Sequence, residues 1–304
     1  PDVSKMIQSL LIANRGEIAC RIIRTARDMG IRTVAVYSDT DAKALHVREA
    51  DEAVHIGASP ARESYLVGEK IIAAAKASGA TVILPGNVYN FGAEPGSWSE
   101  ATPQRPVSRK GRIRVEMEAA YRASGVQTIV LRAGNFIDPE HNGDVMSLAL
   151  MRTIGKGKLT AMGRTDAMQA YAYLPDWARA AALLADRRES LERFADIPFP
   201  GHAFTLEELR VTLEAALGRK VGVTAFPWWL FTVLSPVWEL AREMREMRYL
   251  WNTPHALDGA KLRRSLPDFQ PTDMQTVMLA GLPPKFHPDK AVRTGQLPVL
   301  PQEG

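Results

Sequence analysis

Arg105, Arg109, Lys110, Arg112 and Arg114 crowd one short stretch of this chain. Lys110 and Arg114 stand four residues apart, so on a helix their side chains share a face and repel. Cations at the start of a helix also oppose the positive end of its macrodipole. The residues leave three readings open. A bound anion, such as a cofactor or substrate phosphate, would justify the cluster, because guanidinium grips phosphate bidentately and ammonium acts as a point charge. Arg114 could instead depress the Lys110 pKa until the amine serves as a general base. The plainest reading is a solvated basic turn neutralised by Glu116 and Glu118.

Other residues with chemical potential sit at predicted turns. Ala13-Asn14-Arg15-Gly16-Glu17 follows an apolar run of strand length, and Asn14 and Gly16 fall where open α/β sheets gather ligands. The alternative is that Asn14 caps a helix, with Glu17 closing a capping box. Asp39 and Asp41 flank a turn after a second strand, where an acid can hold a ribose hydroxyl or simply serve the turn. The histidines show no metal-ligand spacing and Cys20 is the one cysteine, so neither a metal centre nor a disulfide scaffold is expected, and a reducing, cytoplasmic compartment is the default.

The elements that must position these residues follow from hydrophobic period. QSLLIA (8–13), RTVAVY (32–37), AVHI (53–56), TVIL (81–84) and TIVL (128–131) read as strands. Helices are expected with Ile18, Ile22, Ile23 and Ala26 on one side, over 64–78, over 113–123 with Ile113, Met117 and Tyr121 meeting a sheet, and over 177–185. Gly30 closes the first, and Thr205-Leu206-Glu207-Glu208 opens a further helix that ends before Gly218. Strand alternating with helix predicts parallel crossovers in a doubly wound α/β sheet. The helix over 64–78 ends at Gly79 and leaves almost no linker, so 81–84 should lie beside 10–13 or a near neighbour in one continuous sheet, with 128–131 extending it and Asn135 emerging at its carboxyl edge, facing the cleft where Lys110 and Arg114 point.

With 304 residues, 46% apolar, and a net charge of +4 spread evenly along the sequence, the chain can bury a core and shows no nucleic-acid footprint. AFPWWLFTVLSPVW (225–238) is too short to span a bilayer and is interrupted by Pro227 and Pro236, so it reads as a buried or interface helix with no membrane role. The proline-rich stretch 284–304 reads as an extended or disordered tail.

Two resemblances meet near Ala80. LLIANRGEIACRIIRTARDMGIRTVAVYSDTDAKALHVREADEAVHIGASPARESYLVGEKIIAAAKASG (10–79) resembles the N-terminal domain of biotin carboxylase. The ATP-grasp and biotin-handling segments of that family lie beyond this stretch, and LPGNVYNFGAE stands where an HPGYGFLSEN-like segment belongs. The resemblance thus implies neither carboxylation nor biotin. Residues 81–283, through VYNFG, RAGNF, YAYLPD, MRYLW and LPDF, resemble the later part of an extended short-chain dehydrogenase/reductase of the NAD-dependent epimerase/dehydratase family.

The second resemblance implies a Rossmann-like, mostly parallel sheet with a smaller C-terminal substrate lobe, and an NAD or NADP cofactor. Taking Val88-Tyr89 as the family's anchor, its catalytic Tyr and Lys fall on Lys110 and Arg114, and its Ser/Thr on Pro85, so the proton relay of the family is absent. Asn87, Tyr89 and Asn135 are the implied substrate contacts; Asn14, Gly16 and Arg132 are the cofactor contacts, with one glycine where the family's turn has three. The function expected is an atypical NAD(P)-dependent oxidoreductase or epimerase-like protein, impaired in cofactor binding and catalysis, acting on an anionic small molecule. The alternative is a non-catalytic protein that binds an anionic ligand. A homodimer is compatible with either.

Overall fold

The computed structural model describes residues 9–65, 67–141 and 143–286. In chain order the elements are β1 (Ser9–Ile12), α1 (Gly16–Asp28), β2 (Arg32–Tyr37), α2 (Leu45–Glu49), β3 (Glu52–His55), α3 (Gly68–Ser78), β4 (Val82–Gly86), β5 (Gly96–Trp98) and α4 (Arg109–Ser124). There follow β6 (Thr128–Arg132), β7 (Asn135–Ile137), β8 (Lys158–Ala161), β9 (Gln169–Tyr173), α5 (Leu174–Asp186), β10 (Phe194–Pro198), β11 (His202–Phe204), α6 (Leu206–Leu217), β12 (Gly222–Ala225), α7 (Trp228–Leu234), α8 (Glu239–Glu246), β13 (His255–Leu257), α9 (Ala260–Ser265) and α10 (Met274–Ala280). These form two compact units, one from the described parts of Pro1–Gly86, Ile113–Leu131 and Ala181–Ile197, the other from those of Asn87–Arg112, Arg132–Ala180 and Pro198–Gly304.

The first unit is built on a sheet. β1 pairs with β2 and β2 with β3, both parallel, with Leu11 opposite Val34 and Val36 opposite Val54. A parallel bridge between Leu10 and Thr81 joins this ladder to the one ordered β4, β6, β10, giving the order β3-β2-β1-β4-β6-β10. Residues on both sides of Ala80 therefore share one sheet, as the short connection after α3 requires. Alternation along the strands sorts the side chains. Leu11, Val34, Val36, Val82 and Leu84 pack with Ile71, Ile72 and Ala75 of α3 and Tyr121 of α4. Ile12 meets Ala19 and Ile23 of α1 on the opposite side. Burying each such aliphatic side chain contributes roughly 1.5–3 kcal/mol. α1 ends as its sequence foretells: Gly30 is left-handed (φ 72°), with Gly30 N–H donating to Arg27 O and Ile31 N–H to Ala26 O.

The second unit holds three smaller sheets: β7-β9-β11, with β7 parallel and β11 antiparallel to β9, and the parallel pairs β8-β12 and β5-β13. Its core gathers Ile137, Met146, Leu150, Leu159, Leu209 and Val277, with Tyr171 stacked on Phe204 at 4.2 Å. Gly134 allows the chain to turn into β7, because a Cβ there would stand 2.1 Å from Ala170 O. The Thr205–Glu208 capping box opens α6 and left-handed Gly218 closes it, both as expected.

Several expectations are corrected. Ile22 and Ile113 are exposed, because α1 and α4 turn Ile23 and Tyr121 to the sheet instead. Ser64 and Val67 do not belong to the first turn of α3, since Ser64 leaves the helical region and Val67 is the N-cap. Of residues 225–238, expected as a buried or interface helix, only Trp228–Leu234 is helical and burial is partial: Phe226 and Trp228 are interior, while Trp229, Val233, Val237 and Trp238 face solvent. Leu66 lies outside the described residues, as do the side chains of Glu17 and Ile18 and, within the expected tail, all of 287–304; Pro284–Phe286 forms a short 3-10 turn.

Candidate functional site

At the carboxyl ends of β1 and β2, the two loops converge. Asn14 Oδ1 accepts from the adjacent Arg15 N–H at 2.8 Å. Gly16 starts α1 with φ 62° and open space where a Cβ would stand, so backbone is accessible there. Arg15 reaches across to Asp41 at 3.9 Å and lies over the Tyr65 ring at 5.3 Å. Asp41 Oδ2 also accepts from Ser38 Oγ at 2.7 Å and from Tyr65 Oη at 2.8 Å. Burial alone would raise the Asp41 carboxyl, but the hydrogen bonds from Ser38 and Tyr65 and the Arg15 charge hold it below its ordinary value. Burial first, then the Asp41 hydrogen bond and charge, push the Tyr65 phenol up to about 12. Asp39, with its side chain 60% exposed, pairs with His55 Nε2 at 2.6 Å. The arrangement offers an ionised carboxylate, a half-exposed guanidinium and an open glycine turn within one loop cluster.

The second unit gathers the remaining residues, with Arg114 alone falling in the first. Asn87 Oδ1 accepts from Tyr89 N–H at 2.9 Å, and Asn87 O accepts from Arg132 Nη1 at 2.8 Å. The Arg132 guanidinium is fully buried, 5.3 Å from the Phe91 ring, which makes it an internal brace for the 87–91 turn. Asn135 opens β7 opposite Tyr171, and its buried Nδ2 has no hydrogen-bond partner. Lys110 lies in the first turn of α4 and forms an ion pair with Glu243 of α8 at 2.9 Å. Arg114 is half-buried one turn farther along the same helix.

Sequence reasoning did not single out Glu243 or Glu246 beside this basic cluster. Glu243 pairs with Lys110, and Glu246 accepts from the Arg109 N–H. The Lys110 hydrogen bond, then its charge, holds the Glu243 carboxyl below its ordinary value. Also missed were Ser108, whose buried Oγ accepts from the Gly111 N–H at 3.0 Å and so opens α4, and Tyr249. Burial raises the Tyr249 phenol, with Ser108 pulling the other way through a contact that lacks hydrogen-bond alignment. No local signal marks these residues except Ser108, which stands at a cap position before α4. Among the described residues no group of His, Cys, Asp or Glu is arranged to hold a metal ion, and no helix is long and apolar enough to cross a membrane.

Comparison with known proteins gives two kinds of likeness, one of sequence and one of fold. Residues 6–108 match the model of the biotin carboxylase N-terminal domain, so the match runs past Ala80. The chain is 53% identical to the propionyl-CoA carboxylase alpha chain of Ruegeria pomeroyi over 114 residues, 38% of this chain and 16% of that one. It is 40% identical to the biotin carboxylase of Pseudomonas aeruginosa over 159 residues, 49% of this chain and 34% of that one. It thus spans well under half the length of these relatives. Among solved structures, MoeE5 in complex with UDP-glucose and NAD is similar over 94% of this chain and 99% of its own, with a TM-score of 0.65 at 15% identity. UDP-galactose 4-epimerase is similar over the same shares, with a TM-score of 0.60 at 14% identity. The chain therefore carries a segment similar to the biotin carboxylase N-terminal domain within an α/β, Rossmann-like fold similar to that of MoeE5 and UDP-galactose 4-epimerase.

Proposed function

We propose that this chain binds an NAD-type dinucleotide at the carboxyl edge of β1 and β2 and lacks the family's proton relay on α4. The observation that carries the reading is the Arg15–Asp41 pair, which brings the turn after β1 and the acids after β2 into one cluster. In a doubly wound sheet, those two loops hold pyrophosphate and ribose respectively. The residues fit that end of the cofactor: Gly16 leaves room for close approach, Arg15 can pair with phosphate, and the exposed Asp39 can accept from a ribose hydroxyl. A bound nicotinamide would supply hydride chemistry, and this chain's own α4 would not move the accompanying proton, since Lys110 is engaged by Glu243. Asn87, Tyr89 and Asn135 are the residues we assign to substrate contact.

An anion held by Lys110 is the weaker reading, because Glu243 already provides that charge. Titration of the chain with NADH and NADPH, followed by nicotinamide fluorescence, tests the proposal. Saturable binding, weakened roughly tenfold by Asp39→Asn or Arg15→Ala, is the expected result. Absent binding, or binding indifferent to both substitutions, would overturn it.

A further inference from the structure

We propose that the α7–α8 hairpin is a docking surface for an anionic lipid bilayer, independently of the dinucleotide reading. The hairpin has two sides. On the inner one, Trp228 donates its indole N–H to Met162 O at 2.7 Å and packs with Phe226 and Phe231, which fixes the hairpin to the core of its unit. On the outer one, Trp229, Val233 and Val237 are 70%, 67% and 85% exposed, with Leu230, Trp238 and Leu240 exposed beside them. Trp229 and Val233, four apart, share one face of α7, and Val237 lies in the turn that follows; a cluster of exposed apolar side chains of this kind marks an interaction site.

The charge at this surface selects the occupant. Arg242 Nη1 donates to Ser235 O and Pro236 O at 3.4 and 3.3 Å, and Arg245 Nη1 donates to Ser235 Oγ at 2.6 Å, so two exposed guanidinium groups brace the turn that carries Val237. Glu243 and Glu246 are occupied by Lys110 and the Arg109 N–H, leaving Glu239 as the acid on the exposed side. Apolar side chains rimmed by cations, with indoles among them, suit the boundary between headgroups and acyl chains of an anionic leaflet. α7 is far too short to span it. A second copy fits less well: a two-fold contact places each patch against its own image, so Arg242 and Arg245 would face their like.

Flotation of the full chain with vesicles of phosphatidylcholine alone, or of phosphatidylcholine with phosphatidylglycerol, tests the proposal. The chain should partition onto the anionic vesicles with a blue shift of tryptophan emission, and added salt should weaken the association. Combined Trp229→Ser and Val233→Ser should weaken it roughly tenfold or more, with circular dichroism and Tm showing an intact fold. Val237→Asp, in the turn, serves as a second variant should the first fail to fold. No partition onto anionic vesicles, equal partition onto neutral ones, or equal binding by both variants would overturn the proposal. So would self-association by sedimentation that the substitutions abolish while vesicle binding persists.

Discussion

Lys110 and Glu243 are joined by an ion pair of 2.9 Å between the first turn of α4 and the middle of α8. It engages the residue that stands where the family resemblance calls for a catalytic tyrosine. Both side chains are about two-fifths exposed, at 41% and 43%, so solvent screens the pair and its worth is modest.

Glu243→Gln should therefore cost about 0.5 kcal/mol, measured by urea denaturation at neutral pH. Because Glu243 titrates below its ordinary 4.5 in the folded chain, the contribution is present above that value and is lost as the pH falls through the lower folded one. The wild type and variant should converge in stability toward acid. A gap that persists or widens there would assign the effect to something other than the ion pair.

The phenol of Tyr65, at about 12, should stay protonated where ordinary tyrosines ionise, and Asp41→Asn should bring it back toward 10 by removing its acceptor's charge. A raised folded pKa means stability that is complete below pH 10 and lost as the pH rises toward 12. Spectrophotometric titration of tyrosinate in the wild type and variant checks the direction. An unmoved curve would mean that Asp41 does not face Tyr65 in solution.

Replacing Arg132 by Met should destabilise the chain by about 3 kcal/mol, since it strips the Asn87 carbonyl of a buried charged donor and removes the guanidinium from the Phe91 ring. Denaturant titration gives the value. A loss under about 1 kcal/mol would show that the 87–91 turn does not depend on this brace.

Gly134→Ala should cost about 3 kcal/mol or more, because the added Cβ meets backbone, the Ala170 oxygen at 2.1 Å. Gly30→Ala is the matched control. It has a left-handed φ of 72° but nothing within 4 Å, so the cost should stay near 1 kcal/mol. Thermal unfolding of both variants should rank them in that order, and equal losses would refute the close-approach argument.

What the sequence determined by itself was local. The helix-ending glycines at 30, 79 and 218, the Thr205–Glu208 capping box and the strand at 32–37 all rest on hydrogen bonds or alternation within a few residues, and so can be read from the neighbours alone. Even the placing of 81–84 in one sheet with 10–13 followed from the shortness of a connection. What only the tertiary structure decided was every partnership between distant segments. Glu243 lies far along the chain from Lys110, and nothing near Lys110 announces it. Arg15, Asp41 and Tyr65 come from three separate turns that meet because parallel strands deliver their carboxyl ends to one edge. The hairpin at 228–246 shows the same limit from the apolar side. Composition says that the segment avoids water, but which half of it does so depends on where the core of the second unit lies.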